Sequence, residues 1–251
     1  IKESSNFFKT NVNGVLNLLY HSLQLHKNKK KILFFQISTD EVFGSLRFNS
    51  LRKFNEKSLI APNNPYSASK ASAEHIVFSF NKTYGLPTII TNCSNNYGQF
   101  QHPEKLIPKT IDRIIRNKII PIYGNGKNMR EWLHVEDHCN AIIKILNNVD
   151  DKYSRICIGS KNLLTNQYVV NKICAIADKH FGYNKTKSTK KLIRFVDDRL
   201  GHDLKYSINS KLIKKNFFWE EKKSFDQGLE ETFMWYIKNK NWTQSIKQNY
   251  K

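Results

Sequence analysis

Apolar residues along the 251-residue chain fall into two rhythms. Near the start, Phe7, Phe8, Val12, Val15, Leu16, Leu19 and Leu23 recur at spacings of one, three and four, which gives a helix one apolar face. KILFFQIS (31–38) is instead a short unbroken apolar run, the pattern of a strand covered on both faces in a parallel sheet. After a long polar connection (43–64), Pro65 opens a helix that runs to about Tyr84 and is stopped by Gly85 and Pro87. TIITNCS (88–94) reads as the next strand, Glu104 to Asn117 as a helix and KIIPIYG as a strand. GNGKN supplies the positive-φ residues of a tight hairpin. Glu136 and Asp137 favour the first turn of a helix through Leu146. RICIG and LIRFV read as strands, with a helix over 165–181 between them, and the pattern ends in helices over 209–215 and 225–238.

Strands alternating with helices predict an α/β fold built on a doubly wound parallel sheet with right-handed crossovers. The segments after residue 104 are more mixed and predict a smaller α/β lobe. The expected division is 1–103 and 104–251, with some segments of the second part returning to the sheet.

Composition narrows this picture. No apolar run approaches the ~20 residues of a membrane-spanning helix, and no secretory leader is visible, so a soluble cytoplasmic protein is expected. Cys93, Cys139, Cys157 and Cys174 form no C-x-x-C pair and read as free thiols in apolar stretches. With 41 Lys and Arg against 21 Asp and Glu, the formal charge is +20. The lysines are scattered on presumed turns, which argues against nucleic-acid binding and leaves an anionic small molecule as the better match.

Three stretches carry candidate chemistry. YSASK sets Tyr66 and Lys70 one helical turn apart. A free phenol is a poor base at neutral pH, and a neighbouring ammonium is expected to lower its pKa. QISTDEVFG ends a strand on Thr39, followed by adjacent carboxylates at Asp40 and Glu41. Ligands of open α/β sheets bind beyond the carboxyl ends of strands. HVEDH has His134 and His138 at a metal-like spacing, but no metal site is expected there.

The order of these stretches resembles the extended short-chain dehydrogenase/reductases that act on nucleotide sugars, and within them the 4,6-dehydratase branch. The resemblance rests on FFKTNVNGVLNLL, ISTDEVFG, NPYSASKASAEH, TNCSNNYGQFQHPEKLIP, PIYGNGKNMREWLHVEDH and DDRLGHDLKYSIN, in that order. It implies a Rossmann-like sheet, NAD as cofactor, dTDP-glucose as substrate and a homodimer. It further implies that Tyr66 takes the C4 hydroxyl proton, Glu41 the C5 proton, and Asp40 protonates the leaving C6 hydroxyl, with Thr39 and Lys70 completing the catalytic set. Asn11, Ser38, Cys93 and Ser94, with Tyr66 and Lys70, are the implied cofactor contacts. Thr39, Asn95, Lys105, Leu106, Pro121, Tyr123, Arg130, Asn162, Arg199 and His202 are the implied substrate contacts.

The HVEDH histidines match a family stretch that binds no metal. Sibling epimerases and decarboxylases lack the need for adjacent acids, so Asp40–Glu41 argues against them. One departure stands out: no G-x-x-G-x-x-G occurs in the 251 residues. Family members place this phosphate cradle near the amino terminus, so a fragment or split gene is expected, with weak NAD binding, a sticky sheet edge and an inactive binding domain as an alternative. Gln99 and Leu200 stand where the family has proline.

Overall fold

In the computed structural model, residues 4–148 and 154–249 are described. In chain order the elements are α1 (Ser4–Phe8), α2 (Gly14–Lys27), β1 (Phe34–Thr39), α3 (Pro65–Tyr84), β2 (Thr88–Cys93), β3 (Asn95–Tyr97), α4 (Leu106–Ile115), β4 (Ile120–Tyr123), β5 (Met129–His134) and α5 (Val135–Asn147). There follow β6 (Arg155–Ile158), β7 (Leu163–Thr165), α6 (Asn166–Phe181), β8 (Ile193–Val196), α7 (Lys211–Phe217), α8 (Phe225–Lys238) and α9 (Lys240–Asn249). They form two compact units, residues 1–94, 140–160 and 205–220 in the first, and 95–139, 161–204 and 221–251 in the second.

The first unit holds an all-parallel sheet in the order β1-β2-β6. Among the described residues β1 pairs with β2 alone. Leu19 and Leu23 of α2 pack on Val77 and Phe80 of α3 and on Leu86 and Ile90. Phe7 and Phe8, expected on the same apolar face, are 38% and 41% exposed. A π-helical turn, Lys9–Asn13, joins α1 to α2. Its wider winding breaks the 3.6-residue register, so the face set by Leu19 and Leu23 does not continue into α1.

The start of α3 is fixed by a capping box. Asn64 Oδ1 accepts from the Ser67 N–H at 2.9 Å, Ser67 Oγ accepts from the Asn64 N–H at 3.3 Å, and Pro65 takes the first helical position. Gly85, left-handed at φ 67°, closes the other end.

In the second unit, β3 runs parallel to β5 and β7 antiparallel to it, while β4 runs parallel to β8. GNGKN therefore closes no hairpin. Gly124 and Gly126 do adopt positive φ (56° and 69°), but β4 is held by β8 and β5 by β3 and β7, so the strands flanking the turn do not pair. Tyr97, Ile107, Ile111, Trp132, Val170 and Phe233 anchor the core of this unit. No helix among the described residues is long and apolar enough to cross a membrane.

Candidate active site

The carboxyl end of β1 turns directly into a 3-10 turn, Asp40–Phe43. Thr39, extended at φ −133° and ψ 155°, organises it. Its Oγ1 accepts from the Glu41 N–H and donates to Asp40 Oδ1, each at 3.3 Å. Asp40 is 1% exposed and Glu41 half-buried, so adjacent carboxyl groups meet different surroundings. Gly44 ends the turn at φ 82°, and a Cβ there would lie 2.5 Å from the Ala61 carbonyl oxygen. The glycine that closes the motif is thus required by close backbone approach as well as by conformation.

Tyr66 lies in the first turn of α3, with the ring of Phe7 edge-on to it at 5.6 Å between centroids. Burial, then negative charge at Glu41, Cys93 and Asp40, raises its pKa well above the usual phenol value. The expectation that Lys70 would lower it is overturned. The Lys70 ammonium instead donates to the Ile37 carbonyl oxygen at 2.7 Å. Burial lowers the Lys70 pKa, with Cys93 and Glu74 acting against that shift. Partial desolvation, with two carboxyl groups nearby, works against ionisation of this phenol in the cofactor-free site.

The remaining implied cofactor residues gather at the same strand ends. Thr39 faces Cys93 across the β1–β2 register. Cys93 Sγ donates to the Ser38 carbonyl at 3.4 Å, and the Ser94 N–H donates to the Ile158 carbonyl at 3.0 Å. Ser38 Oγ is buried and has no hydrogen-bond partner among the described residues. Asn11, within the π-helical turn, donates from Nδ2 to Ser69 Oγ at 3.0 Å.

All the implied substrate residues except Thr39 lie in the second unit. Tyr123, at the end of β4, carries the Arg199 guanidinium over its ring at 4.1 Å and the Lys109 ammonium at 5.7 Å. Burial opposes ionisation of Tyr123, but the charges of Lys109 and Arg199 outweigh it and hold its pKa below the ordinary value. Pro121 lies two residues earlier on β4, facing Arg194.

The buried Arg130 of β5 donates to the carbonyls of Met129 and Asp203, each at 2.9 Å. His202 Nδ1 meets Asp198 Oδ1 at 2.5 Å, and Asn162 Nδ2 donates to the Trp132 carbonyl at 3.4 Å. Asn95 opens β3, Lys105 precedes α4 and pairs with Glu104 at 3.3 Å, and Leu106 is the first residue of α4. Arg199, Tyr123, Asp198 and His202 are brought together, since Asp198 Oδ1 also accepts from the Arg199 N–H. Arg130 and Asn162 are tied to backbone carbonyls elsewhere in the unit.

Lys109 was missed from sequence, although it lies four residues beyond Lys105 and so on the same side of α4. Glu74 and Asn92, which bond below the Thr39 strand end, carry no local signal beyond the helical spacing of Glu74 from Lys70. Among the described residues no group of three or more His, Cys, Asp or Glu is placed to hold a metal ion.

Comparison with known proteins agrees with this geometry. The family model described as GDP-mannose 4,6 dehydratase matches residues 1–232. A dTDP-glucose 4,6-dehydratase of Xanthomonas campestris pv. campestris is 41% identical over 247 residues, covering 96% of this chain and 69% of the relative. The crystal structure of dTDP-glucose 4,6-dehydratase from Bacillus anthracis in complex with NAD superposes with a TM-score of 0.84 at 43% identity, over 97% of this chain and 73% of that one. DesIV, the dTDP-glucose 4,6-dehydratase of Streptomyces venezuelae with NAD and TYD bound, gives a TM-score of 0.86 at 35% identity, over 98% of this chain and 71% of that one. The chain belongs to the dTDP-glucose 4,6-dehydratase family, within the nucleotide-sugar short-chain dehydrogenase/reductases.

Proposed function

We propose that the site converts dTDP-glucose to its 4-keto-6-deoxy product by elimination of water across C5–C6. The observation that carries this reading is the strand-end turn, where a buried Asp40 adjoins a half-buried Glu41 in the unit that also holds Tyr66 and Lys70. Bound NAD would supply the hydride-transfer chemistry of the reaction.

Tyr66 is the base for the C4 hydroxyl proton, and Thr39 holds the oxygen at C4. With a ketone at C4, the C5 proton is acidified and Glu41 removes it. Asp40, shielded from water, is the acid that serves the departing C6 hydroxyl. Two carboxyl groups in different surroundings can act as acid and base side by side. The spare Ser38 hydroxyl and the Lys70 ammonium offer the hydroxyl and cation that the nicotinamide-ribose end of NAD requires. Tyr123 contributes a face for the nucleobase and Arg199 a fork for the diphosphate, while Arg130, whose guanidinium is held by the Met129 and Asp203 carbonyls, supports the same unit from within. Asn95, Lys105, Leu106, Pro121, Asn162 and His202 complete the nucleotide side.

A homodimer is supported by exposed Leu18, Tyr20 and Leu25 on α2 and Tyr84 on α3. A reducing compartment such as the cytoplasm is supported by four free cysteines.

Incubation with dTDP-glucose and NAD+ tests the reading. The expected product is the 4-keto-6-deoxy nucleotide sugar, and a C4 epimer alone would overturn it. In Glu41→Gln, exchange of the C5 proton with solvent is expected to stop. Normal exchange there removes Glu41 as the base.

A further inference from the structure

We infer that Glu74 is a positioning residue that sets the Tyr66–Lys70 helix against the Thr39–Asp40–Glu41 strand end, through a buried carboxylate network. The inference deepens the dehydratase reading and rests on it for its catalytic consequence.

Glu74 lies on α3, one turn beyond Lys70 and two beyond Tyr66, and is fully buried. Its Oε1 accepts from Asn92 Nδ2 at 2.7 Å. The same Asn92 amide donates its other hydrogen to the Thr39 carbonyl at 3.0 Å. One carboxylate and one amide thus join the catalytic helix to the last residue of β1. Glu74 Oε2 accepts from Arg155 Nη2 at 2.6 Å, at the start of β6. The Arg155 guanidinium lies 5.7 Å from the ring centre of Phe43, the last residue of the Asp40–Phe43 turn, and 5.0 Å from that of Phe78 on α3. The network therefore touches the turn from two directions, through the Thr39 carbonyl and through Phe43.

A charge pair with no exposure at its acid is an expensive way merely to hold a helix on a sheet, because burial costs both ions their hydration. Apolar side chains would serve for packing alone. A carboxylate with a donor on each oxygen fixes direction as well as contact. Its charge also acts against the effect of burial on Lys70.

The test compares amide hydrogen exchange and steady-state kinetics in Glu74→Gln with those in Val77→Ala, a core change on the same helix. In Glu74→Gln, amides of residues 40–43 are expected to exchange about tenfold faster than in Val77→Ala matched for melting temperature. A kcat loss of about a hundredfold, the scale of an ångström of misplacement, should accompany it with little change in KM for dTDP-glucose. Glu74→Asp, which keeps the charge, should recover part of the loss. Glu74→Gln/Arg155→Met removes both charges, so it folds without a lone buried cation and should still show low kcat. Equal exchange at residues 40–43 in Glu74→Gln and Val77→Ala overturns the inference. If the wild-type protein forms no 4-keto-6-deoxy product, the dehydratase reading fails, while the exchange comparison still decides the positioning role.

Discussion

The Lys70 ammonium is bonded to the carbonyl oxygen of Ile37 at 2.7 Å. The Phe34 N–H donates to the Pro87 carbonyl. Ile37, out of step with Phe34, therefore turns its backbone groups away from β2. Lys70 thus covers part of the side of β1 that pairs with no strand among the described residues, and the cation is held there against a burial that disfavours it. A lysine whose folded pKa is lowered works against folding while protonated, and the penalty fades as pH rises from the folded value toward the unfolded value of about 10.4. Lys70→Met is accordingly expected to melt at a higher temperature than wild type at pH 7, with the gap closing in alkaline buffer, while turnover is lost. Thermal melts across pH check this, and a lower melting temperature at pH 7 would contradict it.

Arg199 stacked on Tyr123 occupies an aromatic face that a nucleobase would use. At an exposed site such a contact is worth about 0.5–1 kcal/mol, little enough for a bound nucleotide to displace. If Arg199 holds the diphosphate as proposed, Arg199→Ala should weaken dTDP binding by more than the freed ring face can return. Lys109→Met and Arg199→Ala should each raise the Tyr123 pKa, because both cations favour the phenolate. Ultraviolet titration near 295 nm, referenced to Tyr123→Phe, reads that shift. An unchanged transition would show that the cations do not reach the phenol in solution.

His138 is 6% exposed, and burial pushes its pKa down to about 4 from an ordinary 6.5. A histidine buried neutral contributes stability that is full above the unfolded pKa and is lost as pH falls through the window toward the folded one. Two to three pKa units correspond to about 3 kcal/mol. His138→Phe should therefore flatten the fall in denaturant stability between pH 6.5 and 4. Urea melts at both ends of that window give the answer, and an unaltered slope would remove His138 as the source.

Gly228 lies inside α8, where alanine would ordinarily favour the helix by about 1 kcal/mol. A Cβ at that position would strike the Tyr97 hydroxyl and come within 3.0 Å of His134. Tyr97 is 1% exposed and His134 2% exposed, so neither has free room to yield. Gly228→Ala is expected to destabilise the protein by about 1–3 kcal/mol, the usual cost of overpacking. A gain in stability would mean that Tyr97 can rotate clear.

Much of the first unit was legible because its signals are local. The Asn64–Pro65 start and Gly85 stop of α3 are written in adjacent residues, and KILFFQIS marks the strand Phe34–Thr39, although the expected cover on both faces is not met: Ile37 is 47% exposed and Phe34 and Phe35 are half-buried. The π-helical turn at Lys9–Asn13 has no such signature, and it misplaced Phe7 and Phe8. The three-residue strands β3 and β7 are too short for periodicity to reveal. The hairpin at GNGKN failed because positive-φ residues specify a turn but not the partners of its flanking strands, which here come from Ile193–Val196 and Leu163–Thr165.

Within the site, Thr39, Asp40, Glu41, Tyr66 and Lys70 were visible as spacing. The raised pKa of Tyr66 was not, because Cys93, one of its causes, lies 27 residues further along the chain and reaches it only through the fold.

The division of the chain into two interleaved units also sets the timing of its synthesis. The first unit draws on residues 1–94, 140–160 and 205–220, so β2 emerges long before β6, the strand that covers its far edge. At ordinary translation speeds the interval from the end of β2 at Cys93 to the end of β6 at Ile158 is roughly 3–13 s, during which that edge has no neighbour. The nascent chain is a client for chaperones through this interval, and slowing growth in the cold should favour recovery of soluble protein more than raising messenger levels does.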